Sequence, residues 1–320
     1  MNLSVQLAPQ HKPGLVLTNP VMTASGTSGY GTEGEGIFLF DVQKLGAIVC
    51  KGTTLEPRYG NKQPRITETP SGVLNSIGLQ NIGVEALIKE KAPLWADEKN
   101  WRVPVIVNIA GETIEEYARL AERLDGVDGV KAIEVNISCP NVKAGGVEFG
   151  VNPESAARVT AAVKAKTSLP VLVKLTPNTS DIAGVAMAVA GAGADAISLI
   201  NTLKGMVIDT NKRSPLLGNI SGGLSGPAIK PVALYMVYQV AHTVDVPVIG
   251  CGGITTASDA LEFIMAGASA IQVGSASFTN PRAPIDVLEG IEQFIKKEEE
   301  KEDKELDIKD FIGKVRDISS

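Results

Sequence analysis

Eight short runs of strand-forming residues recur along the chain, and most of them are continuously apolar instead of alternating. Strands of that kind are typical of parallel sheets that are covered on both faces. The runs cover residues 20–24, 47–51, 103–109, 132–137, 171–175, 196–200, 246–249 and 270–273. Helical segments lie between them at residues 114–124, 153–166, 180–190, 228–244 and 258–266. Eight alternating units without a break in composition predict an α/β fold, a single (β/α)8 TIM barrel.

We predict one domain over residues 1–320, because closed α/β barrels reach this length as one unit. Residues 52–102 are too many for an ordinary connection, so we expect inserted elements over the C-terminal mouth of the barrel, where they would form a substrate lid. A mixed-charge run at 296–305 predicts a solvated helix end within a charged helical tail of about 296–320.

Composition excludes several classes of protein. A net charge of −6 disfavours a nucleic-acid surface, since phosphate binding requires a basic face. The longest uncharged apolar stretch, 183–194, is too short to cross a bilayer, and prolines interrupt the N-terminal residues where a signal peptide needs an apolar run. Three widely separated cysteines fit neither a metal cluster nor a disulfide framework. We therefore expect a cytoplasmic enzyme without a metal site.

Polar residues close five of the predicted strands, at the end of the barrel where catalytic groups of this fold lie. A single asparagine or lysine at such a position is ordinarily a turn residue, but five strands that end this way are unusual. Lysines and amides that converge on one mouth suit a planar, anionic, carbonyl-rich ligand such as a flavin ring or a pyrimidine carboxylate. The residues are Lys51, Asn108, Asn136, Lys174, Asn201 and Thr202.

Cys139 is the candidate catalytic base. It follows a predicted strand in the motif Asn-Ile-Ser-Cys-Pro-Asn, where nearby lysines would lower its pKa. Cys50 and Cys251 lie in apolar strands and are predicted to be inert core residues. The only histidines, His11 and His242, fall near the N-terminus and in an outer helix, which disfavours hydrolysis by a nucleophile-histidine pair.

Glycine-rich segments late in the chain predict a phosphate cradle, because backbone N–H groups at such turns bind phosphate. The segments are Gly-Gly-Leu-Ser-Gly at 222–226, Gly-Cys-Gly-Gly-Ile at 250–254 and Gly-Ser at 274–275. A Gly-x-Gly-x-x-Gly match at 29–34 is interpreted as a loop, since the second predicted strand ends in Lys51 instead of an acidic ribose-binding residue.

Over residues 19–281 these motifs together resemble the dihydroorotate dehydrogenase family. Cysteine in the position of the base resembles class 1, whereas class 2 enzymes use serine there. Two further segments, which begin at Lys51 and Asn141, are similar to those of class 1B catalytic subunits. The motifs that carry the resemblance are Asn-Pro-Val-Met-Thr-Ala-Ser-Gly-Thr from Asn19, Asn-Ser-Ile-Gly-Leu from Asn75, Asn-Ile-Ser-Cys-Pro-Asn from Asn136, Val-Lys-Leu-Thr-Pro from Val173 and Gly-Gly-Leu-Ser-Gly from Gly222.

The resemblance implies a flavin-dependent oxidation of (S)-dihydroorotate to orotate in de novo pyrimidine (UMP) biosynthesis. Cys139 would remove the C5 proton while a hydride leaves C6 for N5 of FMN. A partner subunit with FAD and a 2Fe-2S cluster would pass the electrons to NAD+. The implied assembly is a heterotetramer of two catalytic and two electron-transfer subunits, built on a homodimer of the catalytic chain.

The resemblance also assigns site residues, with Lys174 stabilising the reduced flavin. The implied FMN contacts are Ser25, Lys51, Gly52, Asn108, Asn136, Lys174, Ile200 and Gly226, with the phosphate at Gly252, Gly253, Gly274 and Ser275. The implied substrate contacts are Lys51, Asn75, Ser76, Ile77, Gly78, Leu79, Asn136, Asn201 and Thr202.

Three alternatives stay open on the sequence alone. A class 1A enzyme would use fumarate, and a module related to dihydropyrimidine dehydrogenase would oxidise dihydropyrimidines. A structural barrel that binds phosphate without catalysis is the alternative of another class, although a passive barrel gains no stability from lysines and amides crowded at its mouth.

Overall fold

Eight parallel strands form the central sheet of the computed structural model, which describes residues 1–33, 40–137 and 149–315. We number these barrel strands β1 to β8 in chain order. They are β1 (Val21–Thr23), β2 (Ile48–Val49), β3 (Val105–Ile109), β4 (Val130–Asn136), β5 (Val171–Lys174), β6 (Ala196–Leu199), β7 (Val248–Cys251) and β8 (Ala270–Val273). Each predicted run overlaps one of these strands, so the predicted barrel is confirmed.

The barrel closes between its first and second strands. Sequential strands are neighbours from β2 to β8, and β8 pairs in parallel with β1. A parallel bridge between Met22 and Ala47 and a hydrogen bond of 2.8 Å from the Gly46 amide to the Val21 oxygen join β1 to β2. All residues of β5 to β8 are buried, because helices cover the outside of the sheet and side chains fill its interior.

Nine helices within the described ranges surround or follow the barrel. Side-chain caps fix several of their starts: Thr113, Asn152 and Asp181 each accept a hydrogen bond from a backbone N–H of the first helical turn. The predicted helix at 228–244 begins later, since its first residues form a 3₁₀ turn, Pro227–Ile229. The helices are α1 (Val84–Glu90), α2 (Ala92–Trp95), α3 (Ile114–Leu124), α4 (Pro153–Lys164), α5 (Ile182–Gly191), α6 (Lys230–Ala241), α7 (Ala257–Met265), α8 (Ala276–Thr279) and α9 (Ala283–Glu302).

A four-stranded antiparallel sheet, here called the cap sheet, contains the hairpin Ile66–Thr69 and Gly72–Asn75. Its other strands, Leu203–Gly205 and Gly222–Ser225, come from the connection after β6, with Leu224 opposite Leu74. The expected insertion at 52–102 thus contains additional elements, namely the hairpin, α1 and α2. The prediction of 222–226 as a glycine turn is wrong for its first four residues. They form a strand of the cap sheet that pairs with the hairpin strand Gly72–Asn75.

The remaining short strands lie outside the barrel and the cap sheet. They form two pairs, Val5–Gln6 with Val16–Leu17 and Ile208–Asp209 with Ser214–Pro215.

The charged run at 296–305 begins in the last turns of α9, which stops at Glu302, so α9 covers only the first residues of the helical tail predicted for about 296–320. Asp303 adopts a left-handed conformation with φ of 50°, which ends the helix. Leu306 and Ile308 are buried beyond it, and a bridge joins Asp307 to Asn2. None of the described helices is long and apolar enough to cross a membrane.

Candidate functional site

A cavity of about 440 Å³ lies between the carboxyl ends of the barrel strands and the cap sheet. Its volume falls within the range of sites for cofactors and small ligands. Most of the site residues predicted from the sequence line it. These are Ser25, Lys51, Gly52, Asn75, Ile77, Gly78, Leu79, Asn108, Asn136, Lys174, Ile200, Asn201, Thr202, Gly226, Gly252, Gly253, Gly274 and Ser275.

Of the predicted residues that the structure describes, Ser76 is not among those that line the cavity. Ser76 is fully buried beside it, and its Oγ atom has no hydrogen-bond partner among the described residues. Its backbone N–H donates to the oxygen of Arg65 at 2.7 Å, which fixes the start of the segment that continues into the cavity wall. Cys139, the predicted base, lies outside the described residues.

A buried cation forms part of the cavity floor. The Nζ atom of Lys174, at the end of β5, donates to Oε1 of Gln272 at 3.0 Å and lies 3.9 Å from Oε1 of Glu134. Burial lowers the pKa of Lys174, but attraction to the Glu134 carboxylate more than offsets this effect. The net pKa lies above its ordinary value, so the floor carries a positive charge at neutral pH.

Asparagine side chains lie at the ends of β4 and β6, the strands on either side of β5, and in the cap sheet. Nδ2 of Asn201 donates to Oδ1 of Asn136 at 3.3 Å, and the hydroxyl of Tyr117 holds the Asn136 backbone oxygen at 2.7 Å. From the cap sheet, Nδ2 of Asn75 donates to the oxygen of Gly223 at 3.2 Å. Amides held in this way offer both donors and acceptors to a ligand rich in carbonyl and N–H groups.

A second lysine, Lys51, lines the cavity just after β2 and is partly exposed. Burial lowers the pKa of Lys51, and repulsion from Arg65 adds to the effect, while Glu33 opposes both. A lysine with a lowered pKa gains from an anionic partner such as a ligand carboxylate.

Four residues, Gly252, Gly253, Gly274 and Ser275, form what we call the glycine cradle, directly after β7 and β8. At Gly253 φ is +74°, and a Cβ atom would lie 2.7 Å from Cβ of Lys230 and 2.9 Å from the oxygen of Gly226. Only glycine fits there, and its backbone is pressed against α6 while the other side faces the cavity. Bare backbone at this place in a barrel is typical of a phosphate site.

The substrate segment predicted at 75–79 runs along the cavity wall and is held by Asn81. Oδ1 of Asn81 accepts from the amides of Thr54 and Gly83, at 3.2 and 2.8 Å. Its Nδ2 atom donates to Oγ1 of Thr54 at 2.8 Å and to the oxygen of Leu79 at 2.7 Å. Leu79 has φ of 55°, a conformation that side chains rarely adopt, so these bonds stabilise a strained loop.

Both cysteines that the structure describes are free and buried. Burial raises the pKa of the Cys50 thiol to about 12, consistent with the predicted inert core residue. Burial likewise raises the pKa of Cys251, although Lys174 opposes the effect. Cys251 differs from the expectation in its position, because it lines the cavity instead of packing only in the core.

Sequence reasoning missed a polar cluster beneath the cavity, formed by Glu134, Ser198 and Gln272 in the middle of β4, β6 and β8. The available signal was a polar residue at the centre of an otherwise buried apolar strand, which is costly unless it is satisfied. The cavity also has lining residues that were not among the predicted site residues: Ala24, Gly26, Thr27, Ile66, Gln80, Gly223, Ser225, Ile229, Cys251, Ile254, Thr255, Ala276 and Phe278.

These residues fit FMN. Lys174 supplies a cation for the ring, the glycine cradle supplies bare backbone for the phosphate, and Oδ1 of Asn108 is a buried acceptor without a partner among the described residues. No group of three or more His, Cys, Asp or Glu residues in the described ranges can hold a metal ion. The arrangement suits hydride chemistry on a flavin better than hydrolysis.

Comparison with known proteins gives a consistent result. A family model described as dihydroorotate dehydrogenase matches residues 8–295. The chain is 58% identical over 282 residues to a protein of Desulforudis audaxviator named dihydroorotate dehydrogenase B (NAD(+)), catalytic subunit, which covers 88% of this chain and 90% of that protein. Proteins with the same name from Desulforamulus reducens and Geotalea daltonii are 57% identical over 295 residues and 53% identical over 315 residues. The alignment with the Desulforamulus reducens protein covers 92% of this chain and 94% of that protein, and the alignment with the Geotalea daltonii protein covers 98% of each.

Proposed function

The chain belongs to the dihydroorotate dehydrogenase family, and from that premise we propose that it oxidises (S)-dihydroorotate to orotate in pyrimidine biosynthesis. FMN, when bound, supplies the acceptor for a hydride. The observation that carries the proposal is the meeting of Lys174, the asparagine amides and the glycine cradle at one cavity. A neutral substrate, or one that is hydrolysed, would not require a buried cation beside the exposed backbone of the glycine cradle.

In this proposal Lys51, Asn136 and Asn201 orient the substrate, since they line the cavity and offer one cation and several amide groups. The carboxylate of dihydroorotate would pair with an ammonium group, and its ring carbonyls and N–H groups would meet the amides. Ser25, Gly52, Asn108, Ile200 and Gly226 would complete the FMN contacts, with Asn75, Ile77, Gly78, Leu79 and Thr202 along the substrate.

Cys139 is proposed as the base. The Cys139 thiolate would take the C5 proton, and loss of a hydride from C6 to the acceptor that bound FMN would supply would leave the C5=C6 double bond of orotate, so the electron pairs balance. A base must reach the proton that it removes, and neither Cys50 nor Cys251 is suited to the role, because burial raises the pKa of both thiols.

We further propose that electrons leave through a partner subunit with FAD and a 2Fe-2S cluster, which reduces NAD+. Two catalytic and two electron-transfer subunits would form the complex. The names of the relatives support this route for the electrons, since those proteins are named NAD(+)-linked catalytic subunits. We place the enzyme in the cytoplasm, a reducing compartment in which Cys50 and Cys251 stay free.

Anaerobic titration of the purified, yellow protein with dihydroorotate tests the proposal. We expect the flavin absorbance to bleach and orotate to appear in equal amount. Cys139→Ala should keep FMN and bind substrate but bleach about 100- to 10,000-fold more slowly, the usual worth of a positioned base. A protein without FMN, or a variant that bleaches as fast as the wild type, contradicts the proposal.

The electron acceptor needs a separate assay. The chain alone should fail to reduce NAD+, and addition of the partner subunit should restore NADH formation. Turnover with fumarate by the isolated chain would indicate a class 1A enzyme, and oxidation of dihydropyrimidines without a carboxylate would indicate the dihydropyrimidine dehydrogenase-like alternative.

A further inference from the structure

Glu134 is a fully buried carboxylate inside the barrel, in the middle of β4. Three donors point at its two oxygens. Nδ2 of Asn108 donates to Oε1 at 2.7 Å, while Oγ of Ser198 and Nε2 of Gln272 donate to Oε2 at 2.8 and 2.7 Å. The donors come from β3, β6 and β8, so one side chain connects strands on opposite sides of the barrel.

A buried carboxylate is weak evidence for stability. Removal of such a charge from water costs several kcal/mol, and an apolar side chain of similar volume often serves a core equally well or better. Ile133 and Val135, on either side of Glu134 in the chain, are buried and apolar, whereas Glu134 itself faces the polar side chains of Asn108, Ser198 and Gln272. A function in the adjacent cavity gives a reason for this carboxylate that packing does not.

The first consequence concerns the cation on the cavity floor. Gln272 bridges the two charged groups, because its Nε2 atom donates to Glu134 and its Oε1 atom accepts from Nζ of Lys174. With the amide fixed at the carboxylate end, Oε1 must face Lys174. Glu134 thus acts on Lys174 directly, at 3.9 Å, and through the orientation of Gln272.

The second consequence concerns Asn108. A carboxylate only accepts hydrogen bonds, so Asn108 must turn Nδ2 towards Glu134. Its Oδ1 atom then points away, towards Gly52, where a Cβ atom would lie 3.1 Å from it. Both Asn108 and Gly52 line the cavity, so the orientation presents an acceptor to the ligand side.

We propose that Glu134 is a positioning residue of the flavin site, which from beneath the cavity keeps Lys174 charged and turns Oδ1 of Asn108 towards the bound cofactor. The inference rests on the proposed function, since it assumes that the cavity holds FMN.

The groups that face Lys174 are Glu134 from β4, Cys251 from β7 and Gln272 from β8. The Cys251 thiol stays neutral near pH 7 because burial raises its pKa, and the Gln272 amide does not titrate. Glu134 is therefore the charged group that opposes the burial of Lys174. Without it, we expect the pKa of Lys174 to fall, because burial is then no longer opposed by a nearby negative charge.

The test compares the midpoint potential of bound FMN in the wild type and in Glu134→Gln, across about pH 6 to 9, where desolvated lysines titrate. At low pH the variant carries one more net positive charge beside the flavin, so its potential should lie above that of the wild type. As pH rises and Lys174 loses its proton, the difference should vanish or change sign. A difference that is constant over this range overturns the inference.

Two further variants isolate the cause. Ser198→Ala removes one donor from Glu134 but no charge, and its potential should follow the pH profile of the wild type. In Glu134→Gln with Lys174→Met neither side chain can titrate, so the difference in potential from the wild type should not depend on pH. A pH-dependent difference in that double variant would also overturn the inference.

Folding of the variants gives an independent measurement. If Glu134→Gln unfolds, addition of Lys174→Met should restore thermal stability, because no unpaired buried charge then remains. If the losses of stability caused by Glu134→Gln and by Lys174→Met simply add in the double variant, Glu134 and Lys174 are not coupled. A wild-type protein that binds no FMN would defeat the proposed function as well. A flavoprotein that dihydroorotate reduces, but whose potential difference is independent of pH, defeats only the role of Glu134.

Discussion

Gly253 in the glycine cradle lies directly against Lys230 at the start of α6, so that a Cβ atom on Gly253 would lie 2.8 Å from the backbone nitrogen of Lys230. The contact holds the turn after β7 against the helix, and φ of +74° at Gly253 is a second reason for glycine.

Gly253→Ala should therefore destabilise the protein and weaken FMN binding. The left-handed conformation costs about 1 kcal/mol, and the displacement of backbone atoms about 1 to 3 kcal/mol more. We expect a fall of about 2 to 4 kcal/mol in the free energy of unfolding, measured by urea denaturation, together with a raised dissociation constant for FMN.

Gly126→Ala is the matched control. Gly126 has φ of +70°, but a Cβ atom there meets nothing within 4 Å, and the residue lies in the turn between α3 and β4, away from the cavity. The variant should lose only about 1 kcal/mol and keep its FMN affinity. Equal losses of FMN affinity in both variants would mean that the cradle contact has no special role.

The barrel strands were predictable because burial on both faces leaves a continuous apolar run that is visible in one dimension. Residues at the ends of those runs, such as Lys51, Asn136 and Lys174, were predictable site residues because the parallel strands of a barrel end at the same mouth.

What the sequence did not indicate depends on partners far away in the chain. Residues 222–225 form a strand although Gly-Gly-Leu-Ser has low strand propensity, because they pair with Gly72–Asn75. Glu134 resembles any other strand residue until Asn108, Ser198 and Gln272 are placed around it. No local pattern contains either relationship.

Asn81→Ala should loosen the substrate segment. Asn81 is buried, and its side chain makes four hydrogen bonds, two of them to Thr54 and one to the oxygen of Leu79. Loss of these partners leaves buried polar groups unsatisfied, at a cost of about 2 to 4 kcal/mol in the free energy of unfolding. We expect KM for dihydroorotate to rise more than kcat falls.

An exposed asparagine provides the comparison for that variant. Nδ2 of Asn100 donates to Asp97 on the surface, and Asn100→Ala should change stability by less than about 0.5 kcal/mol without an effect on KM. If Asn81→Ala leaves KM unchanged while it destabilises the fold, the segment does not depend on Asn81 for its conformation.

Asp259 should make stability depend on pH. Burial tends to raise the pKa of Asp259, but hydrogen bonds from Lys230, Thr255 and Thr256 together hold the pKa well below its ordinary value. A carboxyl group with a lowered folded pKa stabilises the protein above its unfolded pKa, about 4, and this contribution is lost as pH falls further. Urea denaturation should show Asp259→Ala less stable by about 1 to 2 kcal/mol at pH near 7, with the gap narrowing below about pH 4.

Glu262→Gln separates the capping role of Asp259 from its ion pair, since Glu262 is the other partner of Lys230 but does not cap α7. The pair is partly exposed, so we expect a loss below about 1 kcal/mol. A gap between the wild type and Asp259→Ala that stays constant down to about pH 2 would show that the carboxylate charge contributes nothing.

Alkylation should distinguish the two buried cysteines. The thiolate is the reactive form, and burial raises the pKa of Cys50 to about 12 and also raises the pKa of Cys251. Cys251 nevertheless lines the cavity, whereas Cys50, directly after β2, is fully buried.

Under native conditions iodoacetamide should therefore leave Cys50 unmodified with or without FMN. Cys251 should react slowly once FMN is removed and become protected when FMN is restored. Peptide mass spectrometry after timed labelling gives both rates, and labelling in urea shows that each thiol is detectable. If Cys251 is modified at the same rate with and without FMN, the cofactor does not cover the cavity floor formed by Cys251 and Lys174. That result would contradict the assignment of this cavity to FMN.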